Sequence, residues 1–163
     1  MMMEPSINGP VIHACWESDN WWSRKHVLRS GGQTVASVHA KRSSGIAVLC
    51  DNRYTLKCLR FPAYITVRDA ETDDLVARFC CIPAHGFLAE FNDGESFRLG
   101  WVNWWRREWT WTSDTGGLLL ASRHPWLSSR IEMQVEAHGA HQGKWLFLAV
   151  LELAYSKLTR PWF

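Results

Sequence analysis

The chain has 163 residues with 18 basic and 16 acidic side chains, so its net charge is only +2. This balance lacks the strongly basic footprint of a nucleic-acid-binding domain, and we expect no nucleic-acid partner. The length suits one domain that buries roughly two thirds of its unfolded surface. Eleven Trp and seven Phe supply large side chains for a core. We predict a single domain over 1–163 with a flexible N-terminus at 1–10, because no linker rich in Pro, Gly or Ser divides the sequence.

The five cysteines indicate a reducing environment. Their number is odd and no CxxC spacing occurs, a pattern that favours reduced, buried thiols over a disulfide framework. The first residues also lack the basic and apolar regions of a signal peptide. We therefore expect a cytoplasmic protein, either free or at the periphery of a membrane.

From residue 22 onward the chain reads as a series of β-hairpins. Each pair combines period-2 patterning or a short apolar run with a turn rich in Gly, Asn or Asp, which is the hairpin signature. The second of these turns is placed at Asp51-Asn52. The predicted pairs are 22–29 with 33–39, 48–50 with 54–60, 64–68 with 75–79, 86–91 with 96–99, and 109–111 with 118–121.

Two flanking segments, 11–16 and 130–136, add a strand each. In the second, Ile131, Met133 and Val135 alternate with polar residues, so one face is apolar. About twelve antiparallel strands result. A closed sheet of eight strands fills itself with side chains, whereas eleven or twelve leave room for a helix about 10 Å across.

The segment 145–155 supplies that helix. It contains one charged residue, Glu152, and no Gly or Pro, and its apolar side chains point in nearly every direction. A helix apolar all round is buried, and a run this short does not span a bilayer. We predict a mostly β fold, a closed antiparallel barrel of about twelve strands enclosing one hydrophobic C-terminal α-helix at about 143–158. Glu152 should face a gap in the barrel or pair with an inward Arg.

This order of elements resembles the tubby C-terminal domain, the LURP-one-related proteins and the phospholipid scramblases. The spacing of the hairpins at 61–69, 92–94 and 109–116 is similar to that of bacterial members. The resemblance covers about 11–160. It implies a tubby-like barrel whose helix is core. Tubby domains bind phosphoinositide headgroups and scramblase-like members associate with lipid, although no phosphoinositide motif carries over to this sequence. Fold likeness alone implies function only loosely.

Three patterns invite a catalytic or metal-binding interpretation. Asp114-Thr-Gly matches the loop of aspartic proteases, but the same residues suit a hairpin turn, which we favour. His138 and His141 have a spacing that offers two metal ligands, yet zinc needs more, so a solvated loop is favoured. Adjacent Cys80 and Cys81 point to opposite faces of a strand and cannot chelate together. We predict no catalytic residue, no metal site and no cofactor.

Aromatic and basic residues occur together in 100–111. On the predicted strand 109–111, Trp109 and Trp111 share one face and are expected to point inward. Trp104 and Trp105 lie in a connection between hairpins. Trp beside Arg suits a membrane interface or a protein contact, although large rings also fill a core. The candidate lipid- or partner-binding residues are Lys41, Arg42, Trp104, Trp105, Arg106 and Arg107.

Function is predicted from these six candidate residues, which we call the rim. The leading hypothesis is a non-catalytic binding module that docks on anionic lipid headgroups at a membrane surface or on a protein partner. It requires the basic residues of the rim to cluster at one end of the barrel. The alternatives are a scaffold subunit, and a ligand-carrying or hydrolytic barrel that uses Asp114 or the pair His138 and His141. A barrel filled by its helix would count against the last alternative.

Overall fold

The computed structural model describes residues 11–18, 24–59, 64–82, 86–103, 107–125, 130–136 and 143–159, with only the backbone described at 101–103 and 158–159. The predicted flexible segment 1–10 lies outside these residues. One α-helix, α1 (Trp145–Ala154), continues into a π-helical turn (Tyr155–Thr159). The strands are β1 (Val11–Glu17), β2 (Lys25–Ser30), β3 (Gln33–Ala40), β4 (Ser44–Leu49), β5 (Asn52–Leu59), β6 (Tyr64–Asp69), β7 (Leu75–Ile82), β8 (Gly86–Phe91), β9 (Ser96–Asn103), β10 (Glu108–Ser113), β11 (Leu118–Arg123) and β12 (Ile131–Glu136).

The twelve strands form a closed antiparallel barrel. Each strand pairs with its neighbours in sequence, and β1 pairs with β12 to close the sheet. The closing register runs from Val11 opposite Glu136 to Trp16 opposite Ile131. The predicted fold class is confirmed. A closed sheet presents no free strand edge, so the wall offers side chains to a partner and not unpaired backbone groups.

The tight turns use residues that tolerate positive φ. Gly31 and Gly32, between β2 and β3, have φ of 59° and 79°, the pattern of a two-residue hairpin turn. The next such turn lies at Cys50 and Asp51, with φ of 49° and 69°. The predicted turn at Asp51-Asn52 was therefore wrong by one residue. Pairing Leu49 with Asn52 keeps the apolar alternation of β4 and β5 facing the core.

The helix occupies the middle of the barrel. Eight of the ten residues of α1 are buried, and Leu148 and Leu151 have no exposed surface. Trp109 and Trp111 are inward and buried, as predicted. The indole Nε1 of Trp16 donates a hydrogen bond to the carbonyl oxygen of Ala149 at 3.2 Å, which ties the wall to the helix backbone. None of the described helices is long and apolar enough to cross a bilayer.

All five cysteines are free thiols, but they are not all buried. Cys58 lies in the core, and burial raises its pKa to about 12. Cys50 and Cys81 are exposed, so the expectation of uniformly buried thiols was wrong for these two. Cys50 is exposed because it lies in a hairpin turn, and Cys81 because it lies near the end of β7.

Candidate docking surface

A buried polar cluster joins the helix to two strands. Glu152 of α1 is completely buried. Its Oε1 accepts a hydrogen bond from Trp111 Nε1 at 2.9 Å, and its Oε2 accepts one from Ser122 Oγ and lies 2.7 Å from His124 Nε2. The imidazole of His124 stacks on the ring of Trp109, with centroids 4.6 Å apart. Neither environment expected for Glu152 is observed, because its partners are an indole, a hydroxyl and an imidazole.

The cluster has the residue types of a catalytic triad but not its geometry. A triad needs a serine hydroxyl bonded to a histidine that is oriented by a carboxylate on its other nitrogen. Here Ser122 and His124 both bond to the same oxygen of Glu152, and the group is sealed inside the barrel. Buried polar groups satisfied in this way hold a core in one arrangement. These hydrogen bonds connect the helix to β10 and β11.

The meander places alternate connections at opposite ends of the barrel. The hairpin turns that follow β2, β4, β6, β8 and β10 lie together at one end, where the N-terminus of α1 also lies, since Lys144 pairs with Asp93 and Glu95. We call this the acidic end. All charged residues in these five hairpin turns are carboxylates, and Lys144 is a cation in the connection that leads into α1. The carboxylates are Asp51, Glu71, Asp73, Asp74, Asp93, Glu95 and Asp114.

The opposite end, which we call the basic end, receives the connections that follow the odd-numbered strands. The C-terminal part of the helix points there, because Tyr155 contacts Phe87 at the start of β8 and Trp109 near the start of β10. Within the described connections at this end, all charged residues are Lys or Arg. These residues are Arg24, Lys41, Arg42, Arg107 and Arg130.

Backbone contacts place several of these cations beside one another. The amide of Ala40, next to Lys41, donates to the carbonyl of Arg24 at 2.7 Å. Arg130 is partly neutralised, since its guanidinium lies 3.3 Å from a carboxylate oxygen of Glu17. Lys41 and Arg42 are exposed, and neither forms an ion pair with another described residue.

The separation of charge follows the helix dipole. Carboxylates at the acidic end face the positive N-terminus of α1, and the cations lie near its negative C-terminus, an arrangement that stabilises both. Lys157 in the π-helical turn adds a cation to the basic end. Burial, together with the charge of Arg107, lowers the pKa of Lys157 below the ordinary value for lysine. The barrel is thus polarised along its axis although its net charge is small.

A groove of about 370 Å³ runs along the outer wall across β2 to β5. Its lining combines cations with apolar side chains, and it contains no carboxylate. Ile46 is 37% exposed and is one of three exposed large apolar residues in the described part of the chain. The side chains that give the groove its character are Lys25, His39, Lys41, Ile46, Val48 and Arg53.

The predicted rim residues are only partly described. Lys41 and Arg42 are exposed between β3 and β4. Arg107 is half-buried with φ of 57°, and its carbonyl oxygen accepts a hydrogen bond from the amide of His124 at 3.0 Å. The structure therefore brings these three to the same end. Trp104, Trp105 and Arg106 lie outside the described residues.

The residues considered as catalytic or metal-binding candidates have different outcomes. Asp114 is exposed in the turn after β10, where the Gly116 amide donates to the Ser113 carbonyl at 2.9 Å, so the interpretation as a hairpin turn is confirmed. His138 and His141 lie outside the described part of the chain. The described residues contain no group of three or more potential metal ligands.

Sequence reasoning missed two residues of the groove, Lys25 and Arg53. Both sit at the start of a strand with their side chains outward. Arg53 is a single charge on a strand and carries no local signal, whereas Lys25 ends an aromatic and basic run at 21–25 that was not included among the candidate binding residues. The available signal was their alternation with the buried residues of β2 and β5, which assigns them to the outer face, but their proximity depends on the register across four strands.

Comparison with known proteins supports the fold alone. The sequence matches no known protein family and no curated protein. The structure is similar to the X-ray structure of a protein from Arabidopsis thaliana, with a TM-score of 0.67, 12% sequence identity and 92% of each chain covered. Identity this low carries the architecture and no residue roles. The class that fold and surface define is a helix-filled, twelve-stranded β-barrel with one basic end.

Proposed function

We propose that this protein is a non-catalytic docking module that binds anionic lipid headgroups at a membrane surface through its basic end. The observation that carries the proposal is the charge of the described connections there, whose charged residues are all basic, while those of the five hairpin turns at the opposite end are all acidic. A surface of this kind is attracted to anionic lipid by about 1 kcal/mol for each Lys or Arg near the membrane. The acidic end is repelled, so the barrel axis orients toward the bilayer.

The resemblance to tubby-like and scramblase-like proteins forms part of this proposal, as does a cytoplasmic location. In this proposal Lys41, Arg42 and Arg107 contact headgroups, and Trp104, Trp105 and Arg106 stay predicted contacts from the sequence. The helix contributes by filling the interior, which favours external docking over carriage of a ligand inside. Leu148, Ala149 and Leu151 are completely buried, in agreement with a filled barrel.

Flotation with vesicles tests the proposal. The protein is mixed with vesicles of phosphatidylcholine alone, or with added phosphatidylserine, at low and high salt. We expect binding only to the anionic vesicles, weakened by salt because exposed charges are screened. The variant Lys41→Gln/Arg42→Gln should lose about 2 kcal/mol, or roughly 30-fold in affinity.

A matched control carries the same change of charge elsewhere. Arg53→Gln/Arg98→Gln removes two exposed cations from the wall and should bind vesicles like the parent protein. Equal losses in the two variants would show that net charge, and not the basic end, drives binding. Absence of binding to anionic vesicles at low salt would refute the proposal.

A further inference from the structure

We propose that the groove across β2 to β5 is a second docking site, for an extended acidic segment of a partner protein. The segment has an acidic residue, a spacer, an apolar residue, a spacer and a second acidic residue. This site goes beyond lipid docking, because it lies on the wall of the barrel and uses a different set of side chains. Only Lys41 borders both surfaces.

The registers of the strands arrange the groove in two rows. In the first row Lys25 lies opposite His39, and His39 lies opposite Ile46. In the second row Val48 lies between Ser37 and Arg53. Ile46 and Val48 form a half-exposed apolar floor, and cations stand at its two ends. Because the lining has no carboxylate, the groove is complementary to a ligand with two separated negative charges.

The distance between the two cationic ends matches an extended peptide. The amide of Lys41 bonds to the carbonyl of Ser44 at 2.7 Å, so Lys41 sits level with the start of β4, and Arg53 sits level with Val48. Four residues along a strand span about 13 Å. An extended peptide covers the same distance between residues i and i+4, with residue i+2 on the same face.

This match assigns each peptide position a contact. The first acidic side chain meets Lys41, the apolar side chain covers Ile46 and Val48, and the second acidic side chain meets Arg53. The half-buried hydroxyl of Ser37 and the exposed imidazole of His39 lie between the charged ends, within the lining, where they can bond the backbone of the peptide.

The closed barrel determines the mode of recognition. A partner cannot add a strand, because β2 to β5 are paired on both sides. Recognition therefore rests on side-chain charge and spacing. A bilayer surface offers charged headgroups but no apolar group held between two acids at this spacing, which favours a peptide as the occupant of the groove.

The test measures fluorescence anisotropy of a labelled peptide, Ser-Glu-Ser-Leu-Ser-Glu-Ser, blocked at both ends. A second peptide of the same composition, Ser-Glu-Glu-Ser-Leu-Ser-Ser, has the spacing broken. We expect the first peptide to bind and the second to bind about two- to five-fold more weakly, because only the first places an acidic side chain at both cationic ends. Equal binding of the two peptides would reduce the site to nonspecific charge attraction and overturn the proposal.

Two pairs of variants complete the test. Arg53→Gln should weaken the first peptide about two- to five-fold, the range of an exposed charge pair, and Ile46→Asn should weaken it further. Their controls are Arg98→Gln, which changes another exposed arginine, on β9, and Leu118→Asn on β11, where the leucine is 40% exposed against 37% for Ile46. Unchanged binding in both groove variants would overturn the assignment.

The vesicle assay separates this site from the proposed function. Arg53→Gln should bind anionic vesicles like the parent protein while losing affinity for the peptide. Loss of vesicle binding in Arg53→Gln, with no binding of the first peptide, would make the groove a lipid contact and overturn the peptide proposal. If the first peptide binds but no vesicle does, the groove proposal is supported and only the lipid-docking proposal is refuted.

Discussion

Replacing Glu152 by Leu tests whether the buried cluster locks the helix in the barrel. The substitution introduces an apolar side chain of similar size and removes the hydrogen-bond partner of Trp111 Nε1, Ser122 Oγ and His124 Nε2. Each buried donor left unsatisfied costs about 1–3 kcal/mol, partly offset because a carboxylate no longer has to be desolvated. Removing one member of a buried charged group typically costs about 3–5 kcal/mol, which we expect here.

The assay is urea unfolding followed by Trp fluorescence. Glu152→Gln should cost about 1–2 kcal/mol, because the amide keeps one acceptor and the Ser122 hydroxyl can rotate to accept. The control is Ser122→Ala, which should destabilise the parent protein by about 1.5–3 kcal/mol and the Glu152→Leu variant by almost nothing. Additive effects of the two substitutions, or a loss below about 1 kcal/mol for Glu152→Leu, would refute the coupling.

Three further predictions concern the core and its ends. Leu148→Ala should lower the free energy of unfolding by about 2–5 kcal/mol, and Leu148→Asp should prevent folding. Deletion of 143–163 should give insoluble protein, and a soluble, folded truncation would contradict the enclosed helix. Lys144 holds the pKa of Asp93 below its ordinary value of 3.8, so the stabilisation is complete above that value and is lost as pH falls through the lowered pKa. The Tm difference between the parent protein and Lys144→Met should therefore be larger at pH 7 than at pH 2, and an equal difference at both would contradict the ion pair. Iodoacetamide at pH 8 should alkylate the exposed Cys50 at once, whereas Cys58, with its pKa of about 12, should react only on unfolding. Mass spectrometry of the labelled peptides measures both reactions. Rapid labelling of Cys58 in the native protein would refute its burial.

Much of the architecture was predictable because its signals are local. The turn glycines, the alternation of β12 and the continuous apolar surface of 145–155 each act within one element, and they led to a barrel around a helix. Trp109 and Trp111 were assigned inward from alternation alone. The turn at Cys50 and Asp51 was misplaced by one residue, because turn chemistry favours Asp and Asn equally and only pairing across β4 and β5 decides between the two positions.

Local patterns in the sequence were enough to predict the elements, their antiparallel order and the burial of the helix, since hydrophobic periodicity and turn residues act over a few residues. Tertiary structure alone decided the partners of Glu152, which lie 41, 30 and 28 residues away along the chain. It also decided the groove, because Lys25 and Arg53 become neighbours of Ile46 only through three successive registers, one of which carries a shift at Leu28 and Arg29. Contacts of this range depend on closure of the whole barrel, which no short segment encodes.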